Sequence, residues 1–137
     1  MGEAILVLKE STYTLNPLGG KAVFRKRTEI APKELPLLKN QEVDERIPYP
    51  LLNPIQTVFY HHYKEGNALV CAPTSAGKSL VAYLFMKNKE GRRIYTAPTK
   101  SLVYEKAVEL RRYYSVDVRT GDNVLENYKR LKGEVLV

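Results

Sequence analysis

The sequence predicts an α/β protein: a parallel sheet with flanking helices, preceded by a small β-rich N-terminal unit. Three observations predict it. Strand and helix patterns alternate over residues 67–137, which is the order that builds a parallel sheet with right-handed crossovers and a ligand site at the carboxyl ends of its strands. A phosphate-loop signature lies where one of those strands gives way to a helix. Residues 1–30 carry three short strand patterns and no helix. The expected divisions are a small antiparallel unit over 1–30, a proline-rich connector over 31–50 and the nucleotide-binding region over 51–137.

Within the first unit the strands are expected at Ala4 to Lys9, Thr12 to Leu15 and Lys21 to Arg27, with Asn16-Pro17-Leu18-Gly19-Gly20 as a turn. Arg25-Lys26-Arg27 reads as a basic cluster that keeps a strand edge soluble. Prolines 32, 36, 48 and 50 then interrupt every helix or strand pattern, because each fixes φ and removes a donor. Asn53-Pro54 is a strong helix start, with Ile55, Val58, Phe59 and Tyr63 on one face and Gly66 as the stop. His61 and His62 are adjacent on that helix and point in different directions, which argues against a metal site.

Ala68-Leu69-Val70-Cys71 is expected as a buried strand, and Leu80, Val81, Leu84 and Phe85 have helical spacing. Between them stands Ala72-Pro73-Thr74-Ser75-Ala76-Gly77-Lys78-Ser79, which matches G-x-x-x-x-G-K-[ST] except that Ala72 replaces the first glycine. Inward-turned N–H groups and the positive end of the following helix favour an anion there. Gly77 permits close approach, Lys78 reaches the β- and γ-phosphates, and the Ser79 hydroxyl is placed for Mg²⁺. Pro73, Thr74, Ser75 and Ala76 complete the loop. Cys71, the single cysteine, is expected as a small packing residue of the buried strand.

Downstream, Arg92 to Thr96 reads as a strand and Thr99 to Arg112 as a helix with Val103, Ala107, Leu110 and Tyr114 in its buried stripe. Val116-Asp117-Val118 is a short strand. A helix starts at Asn123, with Glu126 completing a capping-box pattern, and ends at Gly133; Glu134 to Val137 begins a further strand.

The chain of 137 residues carries 22 Lys and Arg against 15 Asp and Glu, a net charge of +7, which suits a polyanionic partner. The excess is uneven: residues 1–50 hold 8 basic and 7 acidic side chains, and residues 51–137 hold 14 and 8. No apolar run approaches the roughly 20 residues that span a bilayer, and no signal-peptide pattern is present, so no membrane partner is expected and a cytoplasmic location is.

Taken together the motifs resemble the first RecA-like lobe of superfamily 2 helicases, most closely the superkiller-like branch that includes archaeal DNA-repair helicases. Leu52-Asn53-Pro54-Ile55-Gln56 looks like the Q motif, APTSAGKS like motif I, Ala97-Pro98-Thr99-Lys100-Ser101-Leu102 like motif Ia, and Thr120-Gly121-Asp122 like the threonine-glycine-aspartate loop. The resemblance covers residues 51–137, and in that branch alanine is common at the first motif I position. It implies a partial RecA-like P-loop NTPase domain that uses ATP and Mg²⁺. It assigns Gln56 to the adenine edge, Lys78 to catalysis, and Thr99, Lys100, Ser101, Thr120 and Gly121 to the backbone of a single-stranded or forked nucleic acid, with DNA favoured over RNA. Such contacts bind strands without reading sequence.

No Asp-Glu pair of the motif II kind follows the P-loop, and the second RecA-like lobe with its arginine fingers is not found. The expectation is therefore an N-terminal fragment, inactive alone, of an ATP-dependent helicase. Two alternatives use the same P-loop: a nucleotide-binding switch or assembly module without unwinding, and a small-molecule kinase, for which no acceptor pocket or basic lid is evident.

Overall fold

The computed structural model describes residues 3–73, 77–87, 89–121 and 135–136. The chain forms two compact units, Met1–Phe85 and Met86–Val137.

The first unit is built on five antiparallel strands in the order β4-β3-β2-β1-β5. They are β1 (Ala4–Leu8), β2 (Ser11–Leu15), β3 (Lys21–Lys26), β4 (Lys33–Pro36) and β5 (Ala68–Cys71). Alternation along β1 and β2 puts Ala4, Leu6, Leu8, Tyr13 and Leu15 on the buried face, where Ala22 and Phe24 of β3 join them. Helix α2 (Pro54–His62) buries Ile55, Val58 and Phe59. Its last residue, His62, lies with its ring 5.0 Å from both Tyr13 and Phe24, so it fills the aromatic cluster over β2 and β3. Burial is the main reason that its pKa is lowered; a hydrogen bond to the Val58 carbonyl opposes the shift.

Three expectations change here. The strand ahead of the phosphate loop, β5, does not enter a parallel sheet but pairs antiparallel with β1, from Ile5↔Cys71 to Leu8↔Ala68. It is half covered: Leu69 is 58% exposed and Cys71 is exposed rather than packed. The register explains this, because Leu69 and Cys71 oppose Val7 and Ile5, which point away from the buried Leu6 and Leu8. The pairing of β3 with β4 stops at Phe24↔Lys33, so Arg25 and Lys26 pair with β2 alone and keep the open edge that the sequence reading gave them, with Arg25 donating to the Glu29 carbonyl.

The proline-rich stretch, too, is more than a connector. It contains β4, paired to β3, and the short helix α1 (Asn40–Val43). Residues 38–52 form a closed loop whose ends meet through Leu52 N–H to the Leu38 carbonyl, 2.8 Å, and a bridge between Lys39 and Leu51. Its inner residues Val43 and Ile47 are buried. Asp44 ties this loop to α3 (Lys78–Met86): its carboxylate accepts from Arg46 Nη2 at 2.8 Å and Nε at 3.0 Å, and from the Tyr83 hydroxyl. Arg46 is the main cause holding the Asp44 pKa far below the usual carboxylate range. Tyr83 is itself buried.

The second unit carries a parallel sheet, in the order β6-β8-β7, of β6 (Arg93–Ile94), β8 (Val135–Leu136) and β7 (Val116–Asp117). A late strand between two earlier ones requires crossovers, as the alternating pattern predicted. Helix α4 (Lys100–Leu110) buries Val103, Ala107 and Leu110, three residues of the predicted stripe, in a core with Met86. Tyr114, the fourth, packs partly buried against that core. Arg93 gathers the chain after α3: its guanidinium donates to the carbonyls of Met86, Lys89 and Gly91 and sits 4.9 Å over the Tyr114 ring. The expected helix from Asn123 to Gly133 lies outside the described residues. Among the described residues no helix is long and apolar enough to cross a membrane.

Two titrations make the first unit sensitive to acid. An unfolded histidine takes its proton near pH 6.5 and His62 only at lower pH, so stability is full above 6.5 and declines as pH falls through and below it. Asp44 repeats the pattern further down: its contribution is full above the unfolded carboxylate value, about 4, and is lost below it. Urea melts between pH 8 and pH 3 should show both declines. His62→Phe should remove the first, and Asp44→Asn should remove the second while costing roughly 1–2 kcal/mol at pH 7.

Candidate functional site

The site in the first unit starts from a helix cap. Asn53, extended at φ −78° and ψ 174°, is the N-cap of α2, and Pro54 occupies the first helical turn, where its missing N–H costs nothing. The Asn53 side chain accepts from Gln56 N–H at 2.9 Å, and the Gln56 side-chain oxygen accepts from Asn53 N–H at 2.9 Å. This reciprocal pair is a capping box with glutamine at its third position. The local signal is complete in Asn53-Pro54-Ile55-Gln56, which is why the sequence places this helix start correctly.

Gln56 does more than cap. It is buried, 5% exposed, and its Nε2 donates to the Gly77 carbonyl at 3.0 Å, across a separation of 21 residues. Gln56 and Gly77, which the resemblance gives to two different motifs, are thus in direct contact. Gly77 adopts φ +71°, a left-handed conformation, and a Cβ built there would stand 2.5 Å from Gln56 Nε2 and 2.9 Å from Asn53 Nδ2. Glycine is required here twice, by dihedral angle and by space.

Lys78 and Ser79 open α3 directly after Gly77. Lys78 is exposed, and its ammonium donates to the Ala72 carbonyl at 3.1 Å, which joins the start of α3 to the first residue of the loop. Ser79 is half-buried, as is Pro73. Thr74, Ser75 and Ala76 lie outside the described residues. The described part fits a triphosphate with Mg²⁺: a lysine and a hydroxyl at the start of a nine-residue helix, after a glycine that admits no side chain. Among the described residues no group of three or more His, Cys, Asp or Glu is placed to hold a metal.

A second cluster lies wholly within the second unit. Thr99 is the N-cap of α4, and its hydroxyl accepts from Leu102 N–H at 3.2 Å. Lys100 and Ser101 follow at the exposed start of the helix. The loop after β7 reaches the same place: a Cβ on Gly121 would lie 3.9 Å from Lys100 Cε. Two predicted nucleic-acid motifs, separated by 21 positions in sequence, therefore adjoin at one helix start. Thr120 is half-buried and Gly121 exposed. Asp122 lies outside the described residues.

The sequence reading missed the Gln56–Gly77 contact and the Asp44–Arg46–Tyr83 cluster. The first had a signal, since two motifs of one site must meet; the second had none, because Asp44 lies in a stretch without periodicity.

The profile of the DEAD/DEAH box helicase family matches residues 53–137. The chain is similar to the RQC trigger complex helicase SLH1 of Saccharomyces cerevisiae, at 35% identity over 108 residues, 74% of this chain and 5% of that protein. It is also similar to the activating signal cointegrator 1 complex subunit 3 of Dictyostelium discoideum, at 30% identity over 66% of this chain and 4% of that protein. A third relative is the DExH-box ATP-dependent RNA helicase DExH14 of Arabidopsis thaliana, at 31% identity over 57% of this chain and 4% of that protein. The chain thus spans about a twentieth of the length of these relatives. No solved structure matches it significantly.

Replacing Gly77 tests the geometry. Gly77→Ala should lower the melting stability by roughly 1–3 kcal/mol, from the strained φ and the displaced Gln56 amide. A thermal melt beside the unaltered chain measures it.

Proposed function

Because the chain belongs to the DEAD/DEAH box helicase family, we propose that it is the ATP-binding part of the first RecA-like lobe of an ATP-dependent helicase, whose parent protein couples ATP hydrolysis to movement along nucleic acid and strand separation. The observation that carries this reading is the left-handed, side-chain-intolerant Gly77, held by Gln56 and followed at once by Lys78 and Ser79.

In this reading Lys78 leaves the Ala72 carbonyl for the β- and γ-phosphates, exchanging a neutral acceptor for an anionic one, and acts in catalysis by neutralising charge on the transferred group. Backbone N–H groups at Gly77 and the start of α3 would line the phosphates, and the Ser79 hydroxyl would serve as a ligand to Mg²⁺. Magnesium supplies the remaining neutralisation of the phosphates. Gln56 lies at the base edge of the same site.

The cluster of Thr99, Lys100, Ser101, Thr120 and Gly121 is read as a contact to phosphates of a single strand: one ammonium, hydroxyls and the N-terminal amides of α4 meet there. Such a set does not distinguish bases. The expectation of DNA rests on branch resemblance, whereas the Arabidopsis relative is named an RNA helicase, which favours RNA as the strand to test first. The remainder of the ATP site and the second lobe belong to the parent protein in this reading.

Calorimetric titration of ATP with Mg²⁺ into the chain should show weak binding that Lys78→Ala reduces about tenfold or more; affinity unchanged by that substitution would sink the assignment. In fluorescence anisotropy, single-stranded RNA and DNA should bind with strong salt dependence, and Lys100→Ala should weaken all sequences alike and lower the salt slope by about 1.

A further inference from the structure

We propose that Tyr104 is a base-stacking residue, so that one exposed flank of α4 takes the bases of a single-stranded nucleic acid whose phosphates meet Lys100. The proposal rests on the reading above, in which Lys100 and the loop at Gly121 hold phosphate. Tyr104 is 49% exposed, and Val108, one turn further along α4, is 67% exposed. Other tyrosines of this unit serve the fold: Tyr95 and Tyr114 pack against the core that Ala107 and Leu110 help to form. The Tyr104 ring stays outside that core, and an aromatic face in water is a surface on which a nucleobase can stack.

Helix geometry sets which charges stand beside that ring. At 3.6 residues per turn Lys100, Arg111, Tyr104 and Val108 fall within about 80° of one another around α4, whereas Glu105 and Glu109 lie about 100° and 140° round from Tyr104. Glu109 is also paired with Lys106, 3.5 Å away. The flank is therefore basic and apolar, with no carboxylate of this helix on it. It adjoins β7 and the loop that follows. The Arg111 guanidinium donates to the Val116 carbonyl at 3.4 Å, and near the helix start a Cβ on Gly121 would lie 3.9 Å from Lys100 Cε. Side chains lean toward the N-terminus of their helix, so the Tyr104 ring covers the turn that begins at Lys100. An ammonium and a ring whose Cβ atoms stand about 5–6 Å apart are the pair that a single strand needs, the first for its backbone and the second for a base. Stacking of this kind tolerates any sequence, because every base has a π face, and so it agrees with phosphate contacts that read none.

The chain contains no tryptophan, so Tyr104→Trp places a single fluorescent reporter on this flank while keeping a stacking face. Tyr104→Ala removes the face at an exposed position, where alanine is the best helix former. Both variants, Lys100→Ala and the unaltered chain are titrated with a single-stranded RNA oligonucleotide and with inorganic polyphosphate, after circular dichroism has established folding. Tyr104→Ala should weaken RNA binding about tenfold without changing its salt slope, and should leave polyphosphate affinity within about twofold. Lys100→Ala should instead lower the slope by about 1 and weaken both ligands. Tyr104→Trp should bind RNA at least as tightly as the unaltered chain, and its emission should be quenched by RNA and not by polyphosphate. RNA affinity unchanged in Tyr104→Ala, equal losses for RNA and polyphosphate, or tryptophan emission insensitive to RNA overturns the proposal; Lys100-dependent polyphosphate binding beside any of these leaves the strand-binding reading standing. If neither polyanion binds, or neither depends on Lys100, that reading ends and the proposal with it.

Discussion

The space above Gly77 is the constraint on which the nucleotide half of the chain depends. Two side chains from the start of α2 come within contact distance of where its Cβ would be, so the phosphate loop can close onto that helix only if nothing projects there. The consequence is mutual. Gln56 gives Gly77 a hydrogen-bond partner for its carbonyl, and Gly77 gives the buried Gln56 amide an acceptor that burial would otherwise deny it. A loop that must hold an anion needs its amides oriented beforehand, and here the last residue of that loop is fixed from outside the loop by a helix start.

That helix start is fixed in turn by the N-terminal strands. Tyr13 and Phe24 grip His62 at the far end of α2, and Thr57, fully buried, accepts from Leu38 N–H at 3.3 Å. The strand that leads into the phosphate loop pairs with β1. Residues 1–50 therefore share a sheet and a core with the elements that carry Gln56 and Gly77. Their even charge, 8 basic against 7 acidic, agrees with a structural part in which ions pair with one another, as Lys21 does with Glu34 and Lys33 with Glu29.

What the sequence revealed and what it hid divide along the range of the interaction. The helix starts at Asn53 and Thr99 were legible because a cap is written within four residues. The stripe of Val103, Ala107 and Leu110 was legible because helical period is local too. The neighbour of β5 was not, since an apolar run of four residues looks the same whether it joins a parallel or an antiparallel sheet. Burial of Cys71 was inferred from that run and failed with it, because the face carrying Cys71 is set by register against β1. In the candidate site the sequence supplied the parts and the structure supplied the joins, Gln56 to Gly77 and Lys100 to Gly121. Proline content misled over 31–50 for a different reason. Proline removes one donor but does not stop a chain from pairing on the other side, and Pro36 ends β4 opposite Lys21.

In the second unit the same economy of parts recurs with another chemistry. Thr99 spends its hydroxyl as an acceptor for Leu102 N–H, so what it can offer a phosphate is the hydroxyl proton. Lys100, at the first helical position, has its aliphatic end near Gly121. A lysine at a helix N-terminus is electrostatically unfavourable, because its charge meets the positive end of the dipole. An anion bound between them reverses the sign of that interaction: phosphate is attracted by the ammonium and by the helix end together. In the proposed reading a polyanion would meet both attractions, and its binding would weaken as salt screens them. Residues 51–137, with 14 basic and 8 acidic side chains, extend the same bias beyond the one lysine.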